Sequence, residues 1–442
     1  MSRPLARAAA GTALLLIPVV AGAQTVRRLS LGDAVRRAVT QGTAAQVART
    51  RVQQADARVR QQRSALLPSI AAAALRSGRQ FNTATLGFEF RGPDGKPFFD
   101  PRGMVMGPVN TVDIRARASL NIFDPGAWQR IRAVASTAHV AEIDLDVVAE
   151  EAAAAAALAY VGAARGDAQV GARSSDSTLA AELVRIAQDQ LAAGTGIALD
   201  VTRARAQLAA VRAQLIAARS ERDRAHLDLQ RALSLPADSS IDLTDSLSAL
   251  AAGEPRAEEA TSARRPELLS LAAQRIAADE QIRATRLERL PVLSAFGDHG
   301  PIQGAGGAFL PTYSFGIQLA VPIFDGFRRE GRLDEQSAQR RELDLRTHDA
   351  ERQIDFDVRT ALLDVDTARE QGDAARERLA LAEQEVSQAR DRFRAGVVGN
   401  AEVITASLSL SQARTQLVDA LAAQLTARIE LARARGNARD VK

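Results

Sequence analysis

Two acidic residues occupy matching places in a stretch that the chain carries twice. Asp200 lies six residues after Gly194, and Glu402 lies six residues after Gly396. Around them, Ala193-Gly194-Thr195-Gly196-Ile197-Ala198-Leu199-Asp200-Val201 and Ala395-Gly396-Val397-Val398-Gly399-Asn400-Ala401-Glu402-Val403 are two versions of one theme. A carboxylate just past a glycine turn has two uses. It can open a helix, where negative charge meets the positive end of the helix dipole. Repeated around a symmetry axis, it forms a ring that repels itself and attracts cations. Both uses are open for Glu402 and for Asp200. Gly194, Gly196, Gly396 and Gly399 are read first as sharp-turn residues.

Little other chemistry is on offer. His139, His226, His299 and His348 are far apart and make no metal-ligand spacing, so no metal is expected. The chain has no cysteine, which excludes disulfides, thiol chemistry and a lipidated cysteine. No nucleotide-binding loop and no nucleophile–base arrangement is present, so neither an enzyme nor a cofactor is expected. The net charge is +4, with arginine interleaved among Asp and Glu. That pattern gives solvated helix faces and not a nucleic-acid patch.

The N-terminus reads as an export signal over residues 1–23. Arg3 and Arg7 precede the apolar run Ala8 to Val20, and Ala21-Gly22-Ala23 has the form of a cleavage site. No later stretch looks long and apolar enough for a transmembrane helix. The exported protein is therefore either soluble or a β-barrel, whose strands carry a weaker hydropathy signal.

The elements that would position the two carboxylates are long helices. The match between the copies continues past the turns at a constant offset of 202 residues: Ala204/Ala406, Leu208/Leu410, Arg212/Arg414, Leu215/Leu417 and Leu229/Leu431. A duplicated turn and helix mean two copies of one structural unit. From Val358 the small and apolar positions run Ala361, Val365, Ala368, Gly372, Ala375, Leu379, Ala382, Val386, Ala389 and Phe393, in steps alternating between three and four. That repeat specifies helix packed on helix with a supercoil. The helices entering the turns are predicted from about Pro125 to Leu191 and from about Phe327 to Phe393, roughly 100 Å each at 1.5 Å per residue.

Two segments break this pattern, at about 68–122 and about 291–324. They hold most of the phenylalanines, and there the period switches to two. Tyr313, Phe315, Ile317, Leu319 and Val321 alternate with small or polar residues. Val112, Ile114, Ala116, Ala118, Leu120 and Ile122 alternate with Thr111, Asp113, Arg115, Arg117, Ser119 and Asn121. Strands of ~10 residues with one apolar face suit a membrane β-strand, though a half-buried soluble sheet alternates in the same way. Each segment holds two strand candidates. Gly92 to Gly103 reads as a long connection between the first pair, and Gly300 to Gly307 as a shorter one in the second. Asp124-Pro125 and Asp325-Gly326 mark the return to helix, with the aspartates placed as caps. Four strands cannot close a barrel alone, so oligomerisation follows if they lie in lipid.

These residues resemble the TolC family of outer-membrane efflux and secretion channels. The resemblance rests on Leu29-Ser30-Leu31-Gly32-Asp33-Ala34, on Leu66-Leu67-Pro68-Ser69, on the two Phe-Asp strand ends and on the two Gly-x5-Asp/Glu-Val turns. Their order and duplication at matching spacing carry it. The resemblance implies an α-helical coiled-coil barrel joined to a membrane β-barrel. Each chain would be a duplicated unit giving four strands, and a homotrimer would form a 12-stranded barrel in the outer-membrane lipid, with the helices crossing the periplasm. The implied organisation is a first repeat over 24–235, an equatorial connection over 236–263 and a second repeat over 264–442. The repeated turns would be periplasmic tips, Gly194, Gly196, Gly396 and Gly399 included. They would close the tunnel at rest and dock on the adaptor (membrane fusion) protein of an inner-membrane pump.

In some family members a carboxylate ring narrows the tip six residues after the second-turn glycine. Here that is Glu402, with Asp200 as its first-copy partner. A second carboxylate that the family can carry is Thr405 in this chain, and a basic latch residue is Val398. These departures imply a constriction that is weaker, less cation-selective or held in another way. Asp113, Arg115 and Arg117 would face the barrel lumen. The competing reading is a periplasmic helical-hairpin adaptor or scaffold, which has hairpins but no need of two aromatic-rich strand segments at matching positions. An exported enzyme ranks third.

Overall fold

Ser30 sets the start of the first helix. In the computed structural model, which describes residues 27–86, 93, 102–253, 265–304 and 306–441, β1 (Arg27–Leu29) turns at Ser30 into α1 (Leu31–Gln41). The Ser30 hydroxyl accepts the Asp33 amide at 3.1 Å, which satisfies a donor that the helix leaves free. Leu29, Leu31, Ala34 and Val35 are buried on either side of that cap. The segment proposed as an export signal and nearly all of the Gly92 to Gly103 connection, with Phe88, Phe90, Phe98 and Phe99, lie outside the described residues.

From α2 (Thr43–Arg63) the chain enters the strands β2 (Ser69–Asn82) and β3 (Val105–Phe123). It then forms a hairpin of two long helices, α3 (Pro125–Ala192, 68 residues) and α4 (Ala198–Ala232, 35 residues). A short crossing follows. Its β4 (Ile241–Leu243) pairs parallel with β1, and α5 (Leu247–Ala252) packs on the last long helix. The whole sequence of elements then recurs: α6 (Pro266–Leu287), strands β5 (Val292–Gly304) and β6 (Leu310–Ala320), and the hairpin α7 (Arg328–Arg394, 67 residues) and α8 (Asn400–Arg435, 36 residues).

The small-residue seam holds the hairpins together. On α7 the buried seam residues include Ala361, Ala368, Gly372 and Ala375 and, towards the tip, Ala382, Val386, Ala389 and Phe393. Near the tip they share a core with Val403, Ala406, Leu410 and Ala413 of α8 and with Leu183, Ile186 and Ala187 of α3. Alanine and glycine at the crossing let the helix axes approach closely. A second core surrounds the middle of α3, where Tyr160 is fully buried among Leu229, Leu233, Leu247 and Leu425. Its hydroxyl donates to Leu29 O at 3.0 Å and to Asp245 Oδ2 at 3.2 Å, tying the N-terminal strand to the crossing segment.

The expectation that no stretch after the signal is long and apolar enough to span a membrane is corrected by α3. A window within α3 is long and apolar enough, by composition, to cross a membrane, although 56% of it is buried within the protein. Its hydropathy comes from the alanines packed in the Tyr160 core, so it reads as a core helix.

The four longer strands form one antiparallel sheet in the order β2-β3-β5-β6. At 11 to 19 residues they are longer than the period-two pattern suggested. The connection read at Gly300 to Gly307 is shorter than expected, because β5 continues through Gly300 and Pro301 to Gly304, with Pro301 opposite Pro311. Asp124 caps α3 as expected, accepting the Ala127 amide at 2.8 Å with Pro125 at the first helical position. Asp325 does not cap α7. Gly326 and Phe327 both take left-handed backbone (φ +68° and +63°), so the helix starts only at Arg328. Asp325 instead accepts Arg329 Nε at 2.8 Å.

Candidate functional site at the helical tips and along the sheet

Both hairpin tips are built in one way. Gly194 (φ +75°) and Gly396 (φ +69°) follow the long helices in left-handed conformation, which a side chain disfavours. The Thr195 amide donates to Gln190 O, and the Val397 amide to Arg392 O, each at 3.0 Å. Gly196 serves differently: a Cβ there would lie 3.0 Å from the Gln190 Cβ. Gly399 is no sharp-turn residue at all. It is the N-cap of α8 at φ −74°, a conformation open to any residue, with nothing near its missing side chain.

Asp200 and Glu402 each take the third position of their helices, α4 and α8, where the helix dipole favours negative charge. Their surroundings differ. Glu402 Oε1 accepts Arg392 Nη1 at 2.6 Å across its own turn, so its charge is locally matched. The Asp200 carboxylate has no hydrogen-bond or ion-pair partner among the described residues. Thr405 is exposed, and its hydroxyl donates one turn back along its own helix to Ala401 O at 2.9 Å. Val398 packs against the tip core.

The two tips are joined by side chains that the sequence did not single out. Asn400, 2% exposed, donates from Nδ2 to Asp200 O at 2.6 Å. Gln190 donates to Phe393 O at 2.9 Å. Glu182 of α3 accepts Arg390 at 2.7 Å and Arg394 at 2.9 Å from α7. Further up, buried Asp176 accepts Arg414 at 2.8 Å and Ser411 at 2.7 Å from α8. A sequence signal for the Glu182 contact existed in Arg390 and Arg394, four apart and so on one helix face. The others are contacts over 200 residues or more and left no local trace.

On the sheet, Asp113, Arg115 and Arg117 lie along one face of β3. Arg115 Nε donates to both Asp113 oxygens at 2.7 and 2.8 Å, Nη1 to Asp298 Oδ1 at 2.5 Å, and Nη2 to Thr312 Oγ1 at 3.1 Å. Ser314 donates to Asp298 Oδ2. One guanidinium thus links β3, β5 and β6. Asp298, Thr312 and Ser314 were not foreseen. The opposite face is apolar: Tyr313, Phe315, Ile317 and Leu319 are 64 to 81% exposed. Such a patch on one chain marks a surface meant for lipid or another protein. On α7, Leu345, Phe356, Leu363 and Leu381 are also exposed. They stand 11, 7 and 18 residues apart, close to whole turns at about 3.6 residues per turn, and so form one stripe. Among the described residues no cluster of His, Asp and Glu is arranged to hold a metal.

Long paired hairpins joined to an antiparallel sheet with an exposed apolar face are the arrangement expected of a membrane channel component. The outer membrane efflux protein family matches residues 35–234 and 259–437. The chain belongs to that family, and its place is the cell outer membrane, with the helical part in the periplasm. No curated protein sequence matches it. Among solved structures it is similar to the Campylobacter jejuni CmeC outer membrane channel, at 18% identity and TM-score 0.71, over 92% of this chain and 86% of that one. It is similar to the Vibrio cholerae outer membrane protein VceC at 17% identity and TM-score 0.69, over 92% and 96% of the two chains. The open state of the Neisseria gonorrhoeae MtrE outer membrane channel matches at 18% and 0.68, over 93% and 90%.

Proposed function

We propose that three copies of this chain close a single 12-stranded barrel and serve as the passive exit duct of a tripartite efflux pump or a type I secretion system. The observation that carries this reading is the sheet: an apolar face exposed to the surroundings, and edge strands β2 and β6 with no outer partner among the described residues. In lipid an open edge is untenable, and β2 of one copy can close on β6 of the next. The α7 stripe supplies a matching apolar face for helix-to-helix contact between copies. In this reading residues 1–23 are the export signal, 24–235 and 264–442 the two repeats, and 236–263 the equatorial connection.

The tips at Gly194, Gly196, Gly396 and Gly399 meet a periplasmic adaptor, through which an inner-membrane pump supplies the energy. Asp200, Glu402 and Thr405 line the resting constriction, and Asp113, Arg115 and Arg117 face the lumen. Because Glu402 is paired with Arg392, a ring of three Glu402 carries little net charge, and Asp200 becomes the stronger cation-attracting position. Crosslinking in detergent-extracted outer membranes tests the assembly. A three-chain product with conductance in planar bilayers is expected; a monomer overturns the shared barrel.

A further inference from the structure

We infer that the barrel section of the tunnel attracts anions, through Arg79 and Arg117, in opposition to the Asp200 carboxylates at the tip. The inference rests on the proposed barrel, with the Asp113 face of the sheet lining the lumen.

Side chains on directly opposed residues of neighbouring strands share a face. The register places Arg79, Asp113, Arg115, Arg117 and Asp298 on the same side: Leu75 opposes Asp113, Ala73 opposes Arg115, Arg79 opposes Val109, and Arg117 opposes Asp298. Arg76 lies on the other face, opposite Val112. So does His299, opposite Ala116 and Tyr313. No charged residue occurs in β6. Three arginines against two aspartates leave one net positive charge per chain on this face of the four strands.

The distribution matters more than the sum. Both carboxylates are consumed inside the sheet. Asp113 gives both oxygens to Arg115 Nε, and Asp298 gives one to Arg115 and one to Ser314. These three ionic side chains are only about a fifth exposed, at 18 to 21%. Arg117 opposes Asp298 in the register and lies within its electrostatic reach, but forms no ion pair with it. Arg117 and Arg79 are both exposed, with no hydrogen-bond or ion-pair partner among the described residues. Acceptors are therefore buried in the wall, while two free guanidiniums project from it. Three copies place six such groups around one lumen, where low-dielectric walls focus the field. Anionic groups on a solute, carboxylates or phosphates, are drawn to that section, and cations are repelled.

The test is the reversal potential of the reconstituted channel in a KCl gradient, together with block by inorganic triphosphate added on the barrel side. Arg79→Gln with Arg117→Gln is expected to shift the permeability ratio toward cations by about three- to tenfold and to abolish the block. Arg117→Lys keeps the charge and is expected to behave as wild type. If the double variant does not insert, the wild-type channel decides: triphosphate block from the barrel side, relieved by salt, supports the inference, and its absence overturns it. A conducting channel whose selectivity ignores both arginines overturns the charge assignment alone. A chain that never conducts overturns the barrel and this inference with it.

Discussion

Asn400 makes the contact between tips that is most open to a quantitative test. It is nearly fully buried, and its Nδ2 donates to Asp200 O at 2.6 Å, joining the second hairpin to the first. Removing one partner of a buried hydrogen bond costs about 1–3 kcal/mol. Here the cost falls at the low end, because Asp200 O keeps its partner within the helix and has a second lone pair to spare. Asn400 Oδ1 has no partner in any case, so Asn400→Ala forfeits only the one bond. At about 1 kcal/mol per chain, the ratio of open to closed tips rises about fivefold for each chain. If three tips move together, the effect is about 3 kcal/mol, or roughly 150-fold. Open probability in single-channel recordings reads this directly. Gln190→Ala, which frees Phe393 O, is expected to act in the same direction. An Asn400→Ala channel with unaltered gating and unaltered assembly would show that the tips separate elsewhere, and the reasoning would fail.

Arg392→Ala unmasks Glu402 and is expected to raise cation preference and divalent-cation block, Glu402→Ala unmasks Arg392 and is expected to shift selectivity the other way, and the double variant returns close to wild type in bilayer selectivity. Asp200→Asn removes an unpaired negative charge from each chain and is expected to lower cation preference in the same recordings. In thermal melts, Gly194→Ala or Gly396→Ala should lose about 1–2 kcal/mol from the left-handed backbone, whereas Gly399→Ala carries no such backbone strain and should lose only the smaller N-cap preference of glycine over alanine. The Tyr160 hydroxyl is pushed up to about 12 by burial. Its folded value lies above the unfolded value of about 10, so its contribution to stability is complete below about pH 10 and fades as the pH rises through about 12. In a Tyr313→Phe background the single remaining tyrosine should ionise near pH 12 in ultraviolet titration; ionisation near pH 10 in folded protein contradicts the burial.

The helices and strands were legible because their signals are local. The three-and-four spacing of Ala361, Ala368, Ala375 and Ala382 is a property of one segment, and so is the alternation from Tyr313 to Leu319. Boundaries were harder where backbone conformation overrode residue type. Asp124 and Asp325 look alike in sequence, but Pro125 forces the helix to begin at once, while the left-handed Gly326 and Phe327 delay the second helix to Arg328. At the tips the carboxylates were visible and their partners were not. Arg392 reaches Glu402 across a turn, and Asn400 reaches Asp200 over 200 residues of chain. Packing between hairpins decides such contacts, and no window of sequence contains them. Asp298 escaped notice for the same reason, since only the register of β3 on β5 brings it to Arg115.

If three copies close one barrel as proposed, the two unclosed edges of the sheet β2-β3-β5-β6 also shape the genetics of the protein. A chain whose β2 edge is damaged still offers a sound β6 edge and can still join an assembly, yet the ring it joins cannot close. If half the chains in a cell carry such a lesion and three must meet, only about one ring in eight is intact. Edge-strand alleles should therefore be dominant over wild type, while an allele that destroys the whole chain should be recessive.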